Sequence, residues 1–291
     1  MMEKPPLVIY HDKCNDGFTA AWIAYRYFGG RCELLPGSHG DPCPDVSGRD
    51  VYILDFSYPR MDLLENAAMA RSITLLDHHK STQVDLAGLG VQDVKDKLNL
   101  HVEFDMSRSG AMMTWDHFHP KPPPRFVEYI QDRDLWTGAL PNTKEVAAFM
   151  KITPRTIEDW DEVEAAMEAD EGFERVIAVG QALLVYQDKF VQQMLVHAYP
   201  LEVLGHDVLA CPAPADLCSE IPHELAKGRP FGIGVAVGED GRRWWSLRSS
   251  KDGVDVSEIA KVFGGGGHRH AAGCAEPPGL GVVVKAAVSD T

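Results

Sequence analysis

The stretch Ile73-Thr74-Leu75-Leu76-Asp77-His78-His79 is the key to the fold. Its short apolar run reads as a buried strand. The strand ends on a carboxylate and two adjacent imidazoles, groups that are costly to bury unless something partners them. The same pattern recurs upstream: residues 7–10 form an apolar run followed by His11 and Asp12, and residues 51–54 form one followed by Asp55. Helices are expected over residues 18–28 and 59–70, and further strands at 32–35 and 101–104. Strands and helices in alternation predict an α/β fold, a mostly parallel sheet with helices on both faces. Ligands of such sheets sit beyond the carboxyl ends of the strands. His11, Asp12, Asp55, Asp77, His78 and His79 all fall there.

Downstream, residues 106–118 predict a helix capped by Ser107 or Ser109 and broken by the proline cluster at 121–124. A further helix carries residues 126–130 and ends near Asp132. Over residues 156–197, Val176, Val179, Leu183, Tyr186, Phe190 and Met194 recur at helical spacing. After Pro200 come expected strands at 201–204 and 208–211, a hairpin of 231–237 and 244–247 around Glu239, Asp240 and Gly241, a short helix at 256–263 and an apolar run at 282–284. The expected organisation is an N-terminal domain (1–150), a helical connector (151–200) and a smaller C-terminal α/β domain (201–291).

Hydrophobic residues make up 45% of the 291 and charged residues 24%, the profile of a folded globular protein. The net charge of −15 opposes tight binding of duplex DNA. Six scattered cysteines form no CxxC pair, which together with the absence of signal-peptide features predicts a reducing, cytoplasmic setting. No apolar run reaches the roughly 18 residues of a membrane span.

Five groups of residues carry candidate chemistry. His11-Asp12-Lys13-Cys14-Asn15-Asp16-Gly17 packs oxygen and imidazole donors into one loop, with Gly17 expected to let the backbone turn. Asp55 ends a strand, where it could also cap the next helix. Asp77-His78-His79 can supply a metal ligand, an orienting group and an acid or base. Asp132-Arg133-Asp134 puts acids at a helix C-terminus, where the helix dipole disfavours them. Carboxylates mixed with imidazoles suit Mn²⁺ or Mg²⁺, and a pair of ions about 3.5–4 Å apart is a recurring device for phosphate displacement. The fifth group is Gly264-Gly265-Gly266-Gly267-His268-Arg269-His270-Ala271-Ala272-Gly273, whose amides, with His268 and Arg269, are expected to wrap an anion at the start of a following helix. Arg248 is a candidate second phosphate clamp, because its fork matches phosphate oxygens.

Together these motifs resemble the DHH phosphoesterase family with its associated C-terminal domain, over nearly the whole chain. Asp77-His78-His79 is similar to the namesake motif, residues 11–17 to the first motif, Asp55 to the second, and residues 264–273 to the C-terminal GGGH-type signature. The resemblance implies two metal ions, usually Mn²⁺, with Mg²⁺ or Co²⁺ as alternatives. The implied ligands are His11, Asp16, Asp55 (bridging), His78 and one of Asp132 and Asp134. It implies further that His79 lies near the scissile phosphate, that Asp77 supports the histidines, and that Arg248, Gly265, Gly266, Gly267, His268 and Arg269 hold the nucleotide end of the substrate. The family's first motif usually reads Asp-x-Asp-Gly, whereas Cys14 stands at the first of those positions here. Either Asp12 or Cys14 would then complete the first metal site, or that site is weak.

The expected activity is hydrolysis of short single-stranded oligonucleotides or dinucleotides to mononucleotides by a metal-activated water. The runner-up is a phosphoanhydride hydrolase of exopolyphosphatase or pyrophosphatase type, and a third reading is a nucleotide sensor without turnover. No duplex DNA or membrane partner is expected, and a homodimer is left open.

Overall fold

The computed structural model describes residues 4–38, 40–89, 99–238 and 241–276. The described chain divides into two units, 1–184 and 185–291.

In the first unit, β1 (Leu7–His11), β2 (Glu33–Gly37), β3 (Asp50–Leu54), β4 (Ser72–Asp77) and β5 (Leu100–Phe104) form an all-parallel sheet in the order β2-β1-β3-β4-β5. The described helices of this unit are α1 (Asn15–Tyr27), α2 (Arg60–Met69), α3 (Lys80–Asp85), α4 (Gly110–Phe118), α5 (Arg125–Asp134), α6 (Thr143–Ile152) and α7 (Ile157–Glu168), and α8 (Asp170–Leu195) runs on through residue 184. The expected α/β class with a parallel sheet is what the structure shows.

Alternation along the strands builds a core on each face of the sheet. Leu7, Ile9, Val51, Ile53, Ile73 and Leu75 pack with Leu63 and Ala67 of α2. Val8, Leu54 and Leu76 face the other way, with Trp22, Met113, Phe126 and Trp160. Each large apolar side chain so buried contributes on the order of 1.5–3 kcal/mol. Both indoles also find hydrogen-bond acceptors: Trp160 Nε1 donates to Thr19 Oγ1 at 3.0 Å and Trp22 Nε1 to Asp161 Oδ1 at 2.9 Å, tying α1 to α7. The strand order changes direction beside β1 and β3, and the crevice that such a switch point opens is where ligands bind in sheets of this kind.

Several boundaries differ from the sequence reading. Helix α1 starts at Asn15, three residues before the expected Phe18, so Gly17 lies inside the helix and makes no turn. Its smallness serves a close approach instead, since a Cβ there would lie 2.5 Å from the His11 carbonyl oxygen. Helix α4 begins at Gly110, and of the two serines it is Ser109 that caps it, accepting from the Met112 amide. Helices α3 and α6 were not expected.

In the second unit, β6 (Tyr199–Val203), β7 (His206–Pro212), β8 (Gly232–Val237), β9 (Arg243–Arg248), β10 (Gly266–His268) and β11 (Ala271–Ala275) form a mixed sheet in the order β10-β11-β9-β8-β7-β6. Helices α9 (Glu220–Leu225) and α10 (Val256–Val262) complete it, with a single 3₁₀ turn at Ala215–Leu217. The glycine run is therefore followed by the β10–β11 hairpin and not by a helix, which corrects the sequence reading. Helix α10 precedes the run and ends against it: the Gly265 amide donates to the Ala260 carbonyl, and a Cβ on Gly265 would lie 2.0 Å from the Gly273 oxygen. Glu239, Asp240 and the apolar run at 282–284 lie outside the described residues.

Candidate metal centre at the strand ends

Three strand ends and two helix ends deliver polar side chains to one corner of the first unit. Asp55 follows β3 in a left-handed backbone conformation (φ 57°), with its amide donating to the Leu76 carbonyl. Aspartate tolerates that region better than most residues, and strain of this sort concentrates at functional sites. Asp55, Asp16, Asp77 and His78 are all buried.

Asp55 is the shared member. Its Oδ1 lies 3.0 Å from His78 Nε2 and 3.9 Å from His79 Nδ1, and its Oδ2 lies 3.5 Å from His11 Nδ1. His78 Nε2 also lies 3.7 Å from Asp16 Oδ2 and 3.4 Å from Asp134 Oδ2. Among the described residues of the first unit, two sets of possible ligand atoms lie each within 4.8 Å, His11 with Asp55 and His79, and Asp16 with His78 and Asp134.

Asp77 stands behind the imidazoles. Its Oδ1 accepts from the His78 amide (2.8 Å), the His79 amide (3.2 Å) and His79 Nδ1 (2.7 Å). That contact fixes the ring and assigns its chemistry to Nε2. Asp16 is held by α4, whose first amides donate to it, Gly110 at 2.6 Å and Ala111 at 3.1 Å. Gly110 is thus a site residue that the sequence reading missed: a Cβ there would lie 2.4 Å from Asp55 Cβ and 2.9 Å from Asp16 Oδ2. The signal available was a glycine directly after a capping serine, but its partners lie far away in sequence.

The electrostatics show an excess of negative charge. Burial pushes the Asp16 carboxyl well above the usual carboxylate range, and Asp55 and Asp134 push it further. Burial also raises Asp134. For Asp55 burial acts in the same sense, but the facing His11 and His78 imidazoles override it and hold the carboxyl well below the usual range. Burial would lower both histidines. Asp55, Asp134 and Asp16 instead raise His78 to about 10, and Asp77 and Asp55 raise His79 to about 9. Among the described residues, Asp55 Oδ2, Asp77 Oδ2 and Asp134 Oδ2 are buried without a hydrogen-bond partner. Buried carboxylate oxygens left in that state are what a cation would satisfy. The donor set, carboxylates with imidazoles, fits a hard to borderline divalent ion.

The structure separates the remaining candidates. Asp132 faces away into its own loop: its carboxylate accepts from the Thr137 and Thr143 hydroxyls, from the Ala139 amide at 2.8 Å and from the Leu140 amide at 3.3 Å. Asp12 accepts from the Lys13 amide at 2.8 Å and belongs to neither ligand set. Cys14 precedes α1, and burial, then Asp55, Asp134 and Asp16, push its thiol well above the usual range. In the second unit, Arg248 donates to Ser219 Oγ (2.8 Å), Ser246 Oγ (3.1 Å) and the Leu247 carbonyl (2.9 Å). Arg269 Nη1 lies 3.8 Å from Asp255 Oδ2, and Gly266, Gly267 and His268 form β10.

No protein-family model matches the chain. Over 294 aligned residues it is 31% identical to the uncharacterized protein R106 of Acanthamoeba polyphaga mimivirus, covering 92% of this chain and 67% of that protein. A stretch of 56 residues is 45% identical to oligoribonuclease NrnB of Bacillus subtilis, covering 19% of this chain and 14% of NrnB. The structure aligns with the pGpG-specific phosphodiesterase PggH of Vibrio cholerae at a TM-score of 0.47 and 14% identity, over 94% of this chain and 93% of PggH. The chain shares one family with R106, and its ordered motifs, gathered as described, resemble those of the DHH phosphoesterases. No helix among the described residues is long and apolar enough to cross a membrane.

Proposed function

We propose that this protein is a metal-dependent phosphodiesterase that hydrolyses short oligonucleotides or dinucleotides to mononucleotides. The observation that carries the reading is Asp55, buried and strained, shared between a His11/Asp55/His79 group and an Asp16/His78/Asp134 group. His11, Asp16, Asp55, His78 and Asp134 would hold two divalent ions, manganese first and magnesium or cobalt as alternatives. Such ions supply Lewis acidity and lower the pKa of water. The site around Cys14 is the weaker of the two, since a thiol stands where the family usually has a carboxylate.

The chain's own residues do the rest. Asp77 locks the His79 ring through Nδ1 and favours its protonated form, so His79 can donate a proton to the oxygen that leaves phosphorus. The Gly110 and Ala111 amides orient Asp16. Residues 1–150 carry this chemistry, and residues 201–291 bind substrate through Arg248 and the Gly265–Arg269 segment. The net charge of −15 favours short substrates over long duplexes, and the local likeness to an oligoribonuclease supports the same class.

The test is incubation with Mn²⁺ and a panel of labelled oligonucleotides from dinucleotides upward, cyclic dinucleotides and polyphosphate. Mononucleotide release from the shortest linear substrates is expected. Phosphate release from polyphosphate, with none from dinucleotides, would replace this reading by phosphoanhydride hydrolysis.

A further inference from the structure

Helix α5 ends in a way that stability alone does not explain. The Trp136 amide donates to the Arg133 carbonyl (3.2 Å) and the Thr137 amide to the Asp132 carbonyl (3.1 Å). These are the two bonds of a Schellman termination, whose left-handed residue is usually glycine because a Cβ is disfavoured there. Here that residue is tryptophan, at φ 55° and 41% exposed. The largest side chain thus occupies the position that least tolerates one, and it stays substantially in contact with solvent.

The surroundings hold it there. Asp132, buried under the loop, accepts from Thr137, Ala139, Leu140 and Thr143 and so fixes the segment that follows Trp136. The Arg133 guanidinium lies over the indole, 4.1 Å from the ring centroid. Arg133 also lines a small cavity together with Asp16 and Asp134, two of the proposed metal ligands. A rigid aromatic surface backed by a cation and two residues from a ligand carboxylate suits a flat, π-rich group attached to a phosphate. Bases stack on such surfaces whatever their sequence.

We propose that Trp136, stacked on Arg133, is the platform for the nucleobase adjoining the scissile phosphate, so that the site selects base-bearing phosphodiesters over bare phosphoanhydrides. This rests on the phosphodiesterase reading above.

The test compares Trp136→Gly and Trp136→Phe with wild type on a dinucleotide and on the same dinucleotide lacking one base. Glycine suits the backbone, so the melting temperature of Trp136→Gly should stay or rise, while its KM for the dinucleotide rises about tenfold with little change in kcat. Phenylalanine should restore most of the affinity. In Trp136→Gly, removal of the stacked base should cost nothing further, because the two losses are one interaction. A lowered melting temperature with KM unchanged, or base and tryptophan penalties that simply add, would overturn the inference.

Binding of a dinucleotide containing 2-aminopurine separates this outcome from failure of the function itself. If wild type turns over no nucleotide, fluorescence quenching that is present in wild type and lost in Trp136→Gly keeps the platform and removes the phosphodiesterase reading. Equal quenching in both proteins removes the platform.

Discussion

Asp132 and Asp134 leave the same helix end two residues apart and enter opposite surroundings. Asp132 meets four donors, two hydroxyls and two amides, and its charge is spent on holding a loop. Asp134 meets His78, with Asp55 nearby, and its Oδ2 is buried with no hydrogen-bond donor among the described residues. A buried acid supplied with donors is structural material, whereas one facing other acids and an imidazole is waiting for a cation. Burial raises the cost of the charged form in both. At Asp132 the donors override it and hold the carboxyl below the usual range, but at Asp134 the balance stays upward.

The sharpest way to break this contrast is to neutralise each acid in turn. Asp134→Asn should lower activity by more than about a hundredfold, on the scale of losing a group that stabilises charge at the reacting centre, with the melting temperature nearly unchanged. Asp132→Ala should do the reverse, leaving several donors unsatisfied and lowering stability by roughly 3 kcal/mol or more, as read from denaturant unfolding. Equal behaviour of the two variants would erase the distinction.

A smaller effect follows from protons. Without metal, His78 and His79 hold theirs up to about 10 and about 9 because carboxylates face them. A histidine raised in the folded state contributes stability below its unfolded value, near 6.5, and that contribution fades as pH rises through the folded value. The metal-free protein should therefore lose stability between about pH 6.5 and 10. A cation must displace the His78 proton, so metal affinity should climb over this window, by about tenfold per pH unit for each proton released. Titrations at several pH values would check both signs, and metal affinity that does not change with pH would contradict the assignment of His78 as a ligand.

The strands were legible in the sequence because each apolar run is short and stops at an acid or a histidine, as at Leu54-Asp55 and Leu76-Asp77. Other features depend on contacts that no local pattern encodes. The choice between Asp132 and Asp134 turns on Thr137 and Thr143, donors that matter only once the loop has closed. Gly110 owes its identity to Asp16 and Asp55, distant in sequence. Helix α6 hides behind Pro141 and Asn142, and its apolar stripe is short. The β10–β11 hairpin escaped because glycine and alanine carry too little side chain to show an alternation of two.

Metal titration of wild type against Asp55→Ala by calorimetry tests the central claim most directly. Wild type should bind two divalent ions per chain with unequal affinity, and Asp55→Ala, having lost the carboxylate that belongs to one group and contacts His78 of the other, should bind neither tightly. Undiminished binding of two ions by Asp55→Ala, or no binding by wild type, would contradict the account.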